Sequence, residues 1–209
     1  STPIKSSAAS DVYKRQIVEA EMILIKNARV MDPESGFDQV TDILLDGKRI
    51  RQIGKVDDVS GIEQVIDASG MIAAPGLIDV HVHFRDPGFT YKEDILSGAQ
   101  AAKKGGYTQI VLMANTKPCV DQVETLQYVL QKGAQTGIHI HSCANVTMGM
   151  AGKELVNMEQ LSEAGAVGFT DDGVPILSEE MVTKAMEQAA FYHKPISFHE
   201  EDPCLLYTS

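Results

Sequence analysis

The sequence predicts an α/β fold, a small β module followed by parallel βα units, and three observations carry this. From Met22 to about Ala74 short apolar runs, MILIKNARV, DILLDGKRIRQIG and QVIDASGMIAA, are separated by Gly, Asp and Ser turn residues, which is a strand-and-turn rhythm. After the APG at 74–76 the rhythm changes to apolar runs alternating with helical stretches of 10–16 residues, the mark of strands crossed by helices around a parallel sheet. The 209 residues suffice to bury a sizeable core, as one domain or as one domain and a piece of another.

In chain order, strands are predicted at 77–80, 108–113, 138–143, 166–169 and 195–198, with helices at 93–104, 121–134, 153–164 and 178–192. Gly105-Gly106 suits a left-handed cap for the first helix. Ser178 suits the N-cap of the last, with Glu179 and Glu180 favourable in its first turn. Five strands over about 130 residues give roughly 26 residues per unit, and eight such units fill the ~250 residues of a (β/α)8 barrel. If the fold is a barrel, the sequence holds about five of its eight βα units. Residues 1–21 are polar and aperiodic, and Met22 opens the first clean alternation. We expect 1–21 to be a non-native or disordered leader and 204–209 a non-native tail, both resembling translated cloning adaptor.

Composition excludes several functions. A net charge of -11 without a basic stripe argues against nucleic acid as a partner. No apolar run approaches the ~20 residues needed to cross a bilayer. Cys119, Cys143 and Cys204 are odd in number with no CxxC, as expected of free thiols in the cytoplasm.

In parallel βα folds chemistry gathers at the carboxyl ends of the strands. His81 and His83 follow GLIDV, and alternate residues leaving one strand point to one side, as two ligands of one metal require. Asn115 follows IVLMA, Asp171 and Asp172 follow AVGFT, and His199 follows PISF. Four strands thus deliver imidazole, amide or carboxylate to one end of the sheet. A second HxH, His139 and His141, lies near the start of its strand and reads as scaffold. Imidazole and carboxylate ligands suit Zn2+ or a similar ion, whose bound water has a pKa near ~7. Arg85, two residues after His83, could fork onto a substrate carboxylate; the alternative is a surface ion pair with Asp86 or Asp94.

The stretches APGLIDVHVHFRDPG, GGYTQIVLMANTKP, GAVGFTDDG and ISFHEED resemble, in order, the cyclic-amide branch of the amidohydrolase superfamily, and specifically the bacterial type I dihydroorotases. The resemblance runs from Met22 to about Pro203. It implies a metal-dependent (β/α)8 barrel, of which 75–203 is the N-terminal part, and a small β-sandwich domain to which 22–74 contributes. It implies that His81 and His83 bind one zinc, Asp172 bridges two metal positions and His199 binds the second, for one or two Zn2+ per site. Asp172 is preferred over Asp171 because its 27-residue separation from His199 fits the family pattern. Arg85 and Asn115 would hold the substrate carboxylate.

The reaction implied is reversible cyclisation of N-carbamoyl-L-aspartate to dihydroorotate in pyrimidine synthesis. An aspartate rather than a carboxylated lysine at the bridge weighs against a hydantoinase or allantoinase. A non-catalytic relative serving aspartate transcarbamoylase is the other alternative, and the first-strand HxH disfavours it. A homodimer and a complex with aspartate transcarbamoylase are both left open. Ala114 stands where relatives often carry proline. The family's further histidine and its catalytic aspartate fall after Pro203, so the 209-residue chain expressed alone is expected to be inactive.

Overall fold

The computed structural model describes residues 22–206. The expected leader, and residues 207–209 of the expected tail, lie outside the described residues. The described residues divide into two compact units, one ending at Pro75 and one beginning at Gly76.

The first unit is a five-stranded sheet of β1 (Met22–Asp32), β2 (Phe37–Asp46), β3 (Arg49–Ile53), β4 (Gln64–Asp67) and β5 (Ile72–Ala73). β1 pairs antiparallel with β2 and parallel with β4 and β5. Its register shifts between Ile25 and Ala28, which frees the Asn27 amide from the ladder. The buried Asp42 carboxylate accepts that N–H at 3.1 Å and the Val56 N–H at 3.3 Å, so the irregularity leaves no buried donor orphaned. The alternation in β1 places Leu24, Ala28 and Val30 in two small apolar cores.

The second unit carries β6 (Leu77–Val82), α1 (Ile95–Lys104), β7 (Tyr107–Leu112), α2 (Val123–Gly133), β8 (His139–Ser142), a 3-10 turn (Met148–Met150), α3 (Met158–Glu163), β9 (Phe169–Thr170), α4 (Glu179–Phe191), β10 (Ile196–Ser197) and α5 (Pro203–Leu206). β6, β7 and β8 pair in parallel, as do β9 and β10. Between the two groups Ala144 bridges Phe169, with Thr170 N–H donating to the Ala144 carbonyl at 2.8 Å. The five strands therefore follow one another in chain order, all parallel and each followed by a helix, which is the winding of part of a (β/α)8 barrel. Cys204, Leu205 and Leu206, expected in the tail, belong to the last short helix.

The helices start where the sequence supplies caps. The Asp94 carboxylate accepts from Leu96 and Ser97 N–H at 2.7 and 2.9 Å, and Ser178 Oγ accepts from Met181 N–H at 3.2 Å, satisfying otherwise unpaired first-turn donors. Gly106, at φ +85°, closes α1 as the Gly-Gly pair predicts. One helix begins later than its periodicity suggests. Leu155 pairs with Thr147, Val156 N–H donates to Val146 at 3.1 Å, and only then does Asn157 cap α3; an extended pairing replaces the helix expected from 153.

Helices pack on one face of the sheet. Phe84, Ile95, Ala99, Ile110, Leu112 and Val129 form one core, and a second gathers Val146, Met158, Leu161, Phe169 and Ala185. A Cβ at Gly98 would lie 2.5 Å from the Phe84 ring, so α1 can lie against the chain leaving β6 only with glycine there. Burial pushes the thiols of Cys119 and Cys143 up to about 11, while Cys204 is exposed. Among the described residues no helix is long and apolar enough to cross a membrane.

Candidate metal centre

β6 ends in a two-sided segment. Val82 and Phe84 join the helix-side core, and Asp86 is buried behind them. His81 and His83 alternate with these residues, and their rings stand edge to face at 5.1 Å between centroids. From the end of β9 comes Asp172, whose Oδ2 lies 3.6 Å from His81 Nε2 and 3.3 Å from His83 Nε2. Its other oxygen, Oδ1, lies 3.6 Å from His199 Nδ1 at the end of β10. One carboxylate thus faces two sets of imidazole nitrogen.

This donor set fits a divalent ion. The ligand atoms of His81, His83 and Asp172 all lie within 4.8 Å of one another. Atoms around a tetrahedral zinc with bonds of about 2.0–2.2 Å are roughly 3.3–3.6 Å apart, the same spacing as the two contacts to Asp172 Oδ2. A cation between an imidazole lone pair and a carboxylate oxygen also removes the repulsion that two acceptors at such distances would otherwise feel.

The neighbours orient these groups. Asn115, at the end of β7, places Oδ1 at 3.0 Å from His83 Nδ1 and Nδ2 at 3.2 Å from Asp172 Oδ2 and 3.1 Å from its carbonyl. His199 Nε2 donates to Glu201 Oε2 at 2.8 Å. That hydrogen bond above all, then the charges of Glu201 and Asp172, holds the His199 pKa above its ordinary value.

Asp171 and Asp172 are adjacent and opposed in environment. Asp171 is buried and accepts from Val146 N–H at 2.9 Å, Thr147 N–H at 3.2 Å, Asn145 Nδ2 at 3.3 Å and the Thr147 hydroxyl. It ties the loop after β8 to the end of β9 and is turned away from the imidazoles.

Arg85 has neither of the ion pairs left open by sequence. Asp86 accepts from Lys132 Nζ at 2.6 Å, Tyr128 OH at 2.9 Å and Ile95 N–H at 3.2 Å, and Asp94 caps α1. Arg85 sits at φ +57°, in the sparsely populated left-handed region, between the buried Phe84 and Asp86. The next turn is locked to the chain after β7. Lys117 N–H donates to the Pro87 carbonyl at 3.1 Å, and a Cβ at Gly88 would lie 2.1 Å from the Lys117 carbonyl oxygen.

Structure therefore brings together His81, His83, Asn115, Asp172 and His199 from four strand ends, with Arg85 two residues beyond His83. His139 and His141 stay apart. They stack on each other at 6.5 Å, and His141 Nε2 lies 3.3 Å from Gln109 Oε1. Glu201 and the Asp86–Tyr128–Lys132 cluster were not foreseen. The acidic residue two places after His199 in an extended segment was the available signal for the first; nothing local joins Asp86 to a helix more than 40 residues away.

The fold is that of the hydantoinase barrels. An L-hydantoinase from Arthrobacter aurescens superposes with a TM-score of 0.77 at 20% identity, over 90% of this chain and 42% of that one. A D-hydantoinase from Thermus sp. gives 0.68 at 25% identity, over 89% and 42%. The model of one family, described as dihydro-orotase-like, matches residues 70–208, more than half of the chain. The chain belongs to that family. It is 52% identical over 185 residues to a dihydroorotase of Clostridioides difficile and 50% identical over 188 residues to one of Clostridium acetobutylicum. It covers 44% of the length of each, so the chain spans less than half of the curated relatives it matches.

Proposed function

We propose that this chain supplies the first part of the site of a zinc-dependent dihydroorotase, a hydrolase of a cyclic amide C–N bond. Run in reverse, the reaction cyclises N-carbamoyl-L-aspartate to (S)-dihydroorotate with loss of water, in the pyrimidine biosynthesis of the cytoplasm. The observation that carries the reading is the Asp172 carboxylate, set with one oxygen toward His81 and His83 and the other toward His199. The names of the relatives, at about half identity, support the substrate.

In this reading His81, His83, Asp172 and His199 hold one or two ions. When bound, such an ion polarises an amide carbonyl and activates water. The chain's own residues bind and orient. Arg85, a fork of donors without an acidic partner among the described residues, takes the substrate carboxylate in bidentate fashion. Asn115 lies beside the imidazoles, within reach of the same ligand. Asp86 acts through Arg85, since three donors hold its carboxylate immediately after the arginine. The Lys117–Pro87 hydrogen bond keeps the chain segments bearing Arg85 and Asn115 in one frame.

Zinc content, together with dihydroorotate turnover by the protein at its relatives' length, tests this. A His81→Ala, His83→Ala double variant is expected to lose both. Full zinc stoichiometry in that variant refutes the ligand set, and a preference for hydantoin over dihydroorotate refutes the substrate.

A further inference from the structure

We infer that Asn115 is a positioning residue of the metal centre: its amide fixes which nitrogen of His83 carries the proton and holds the Asp172 carboxylate toward it. This rests on the ligand reading above and is separate from any contact Asn115 makes with substrate.

Two acceptors fix the amide's orientation. Asn115 faces the Asp172 carbonyl at 3.1 Å and Asp172 Oδ2 at 3.2 Å, and neither oxygen can donate. Only the NH2 end of the amide can lie there, because the opposite flip would set amide oxygen against carboxylate oxygen. The oxygen end is therefore the one at 3.0 Å from His83 Nδ1. An amide oxygen only accepts, so Nδ1 carries the hydrogen and donates it. A neutral imidazole has one N–H, which leaves the Nε2 lone pair free, and Nε2 is the atom 3.3 Å from Asp172 Oδ2.

One side chain on β7 thus imposes the tautomer on a β6 residue and steadies a β9 residue 57 positions away. Outer contacts of this kind fix the orientation and raise the basicity of a ligating imidazole, and losing one weakens metal binding by roughly 10- to 100-fold.

The test uses the protein at its relatives' length, without substrate, so a substrate contact of Asn115 cannot contribute. Nitrogen-15 NMR is expected to show a hydrogen on His83 Nδ1, held by the Asn115 oxygen at 3.0 Å. A His83 Nδ1 without a hydrogen in the wild-type protein overturns the inference before any variant is made. Competition with a chromophoric chelator is expected to show zinc bound roughly 10- to 100-fold more weakly by Asn115→Ala, with His139→Ala unchanged. Unchanged affinity in a folded Asn115→Ala chain overturns it as well. If the wild-type protein binds no zinc, the ligand reading fails, while the nitrogen-15 measurement still decides the role of Asn115.

Discussion

Two HxH pairs lie on two strands of one parallel sheet, and only one faces a carboxylate. His81 and His83 leave β6 at its carboxyl end and meet Asp172, which arrives from the end of β9. His139 and His141 sit within β8, begun at His139 itself, with one stacked on the other and a glutamine for company. The tripeptide pattern is the same; the position along the strand differs. A parallel sheet gathers its chemistry at one rim because only there do loops from successive strands converge. Side chains even a few residues below that rim meet only their strand neighbours.

Substitutions break this comparison most sharply. Changing both His81 and His83 to Ala is expected to weaken zinc binding more than about 100-fold, whereas the same double change at His139 and His141 leaves it within about 2-fold; equilibrium dialysis against zinc reads both. Comparable losses in the two would mean that strand position does not separate site from scaffold.

The adjacent aspartates sharpen the contrast in a second currency. Asp171→Ala leaves several buried donors without an acceptor and is expected to cost about 3 kcal/mol, roughly 10 °C in melting temperature. Asp172→Ala, with the carboxylate turned into the cluster of imidazoles, is expected to remove zinc with a smaller thermal shift in the metal-free chain. Scanning calorimetry of the two variants, each with and without zinc, separates the roles, and a reversed order refutes them.

The smallest effect expected is one of pH. The pKa of His199 is raised, chiefly by its hydrogen bond to Glu201. In the metal-free protein this favours the folded state below the ordinary histidine value, and the benefit is lost as pH rises through the raised one. Zinc needs the neutral ring. The zinc-to-protein ratio is therefore expected to fall as pH is lowered, beginning above the ordinary value of 6.5, and Glu201→Gln should move the onset to lower pH. An onset unmoved by that change removes Glu201 from the account.

Much of this was legible before the structure. Turn residues and apolar spacing mark the five strands and their helices because each is a local property of β6 to α4. Strand-end position separated His81 from His139 because a parallel sheet makes that position meaningful even in one dimension. Pairings across long separations were not legible: Asp86 with Lys132, Asp171 with Val146 and Thr147, and Asn115 with Asp172 each require knowing which loops lie side by side. The late start of α3 belongs with these, since residues 154–156 are helical by pattern and extended only because Thr147 and Val146 offer backbone partners.

The three cysteines give the molecule a chemical handle. The thiolate is the form that attacks thiol reagents, and desolvation pushes Cys119 and Cys143 up to about 11. Cys204 stands exposed on the last short helix. A maleimide fluorophore applied at neutral pH thus marks one address, five residues after His199, and its emission can follow that strand end as metal is added or withdrawn, with no residue of the chain replaced.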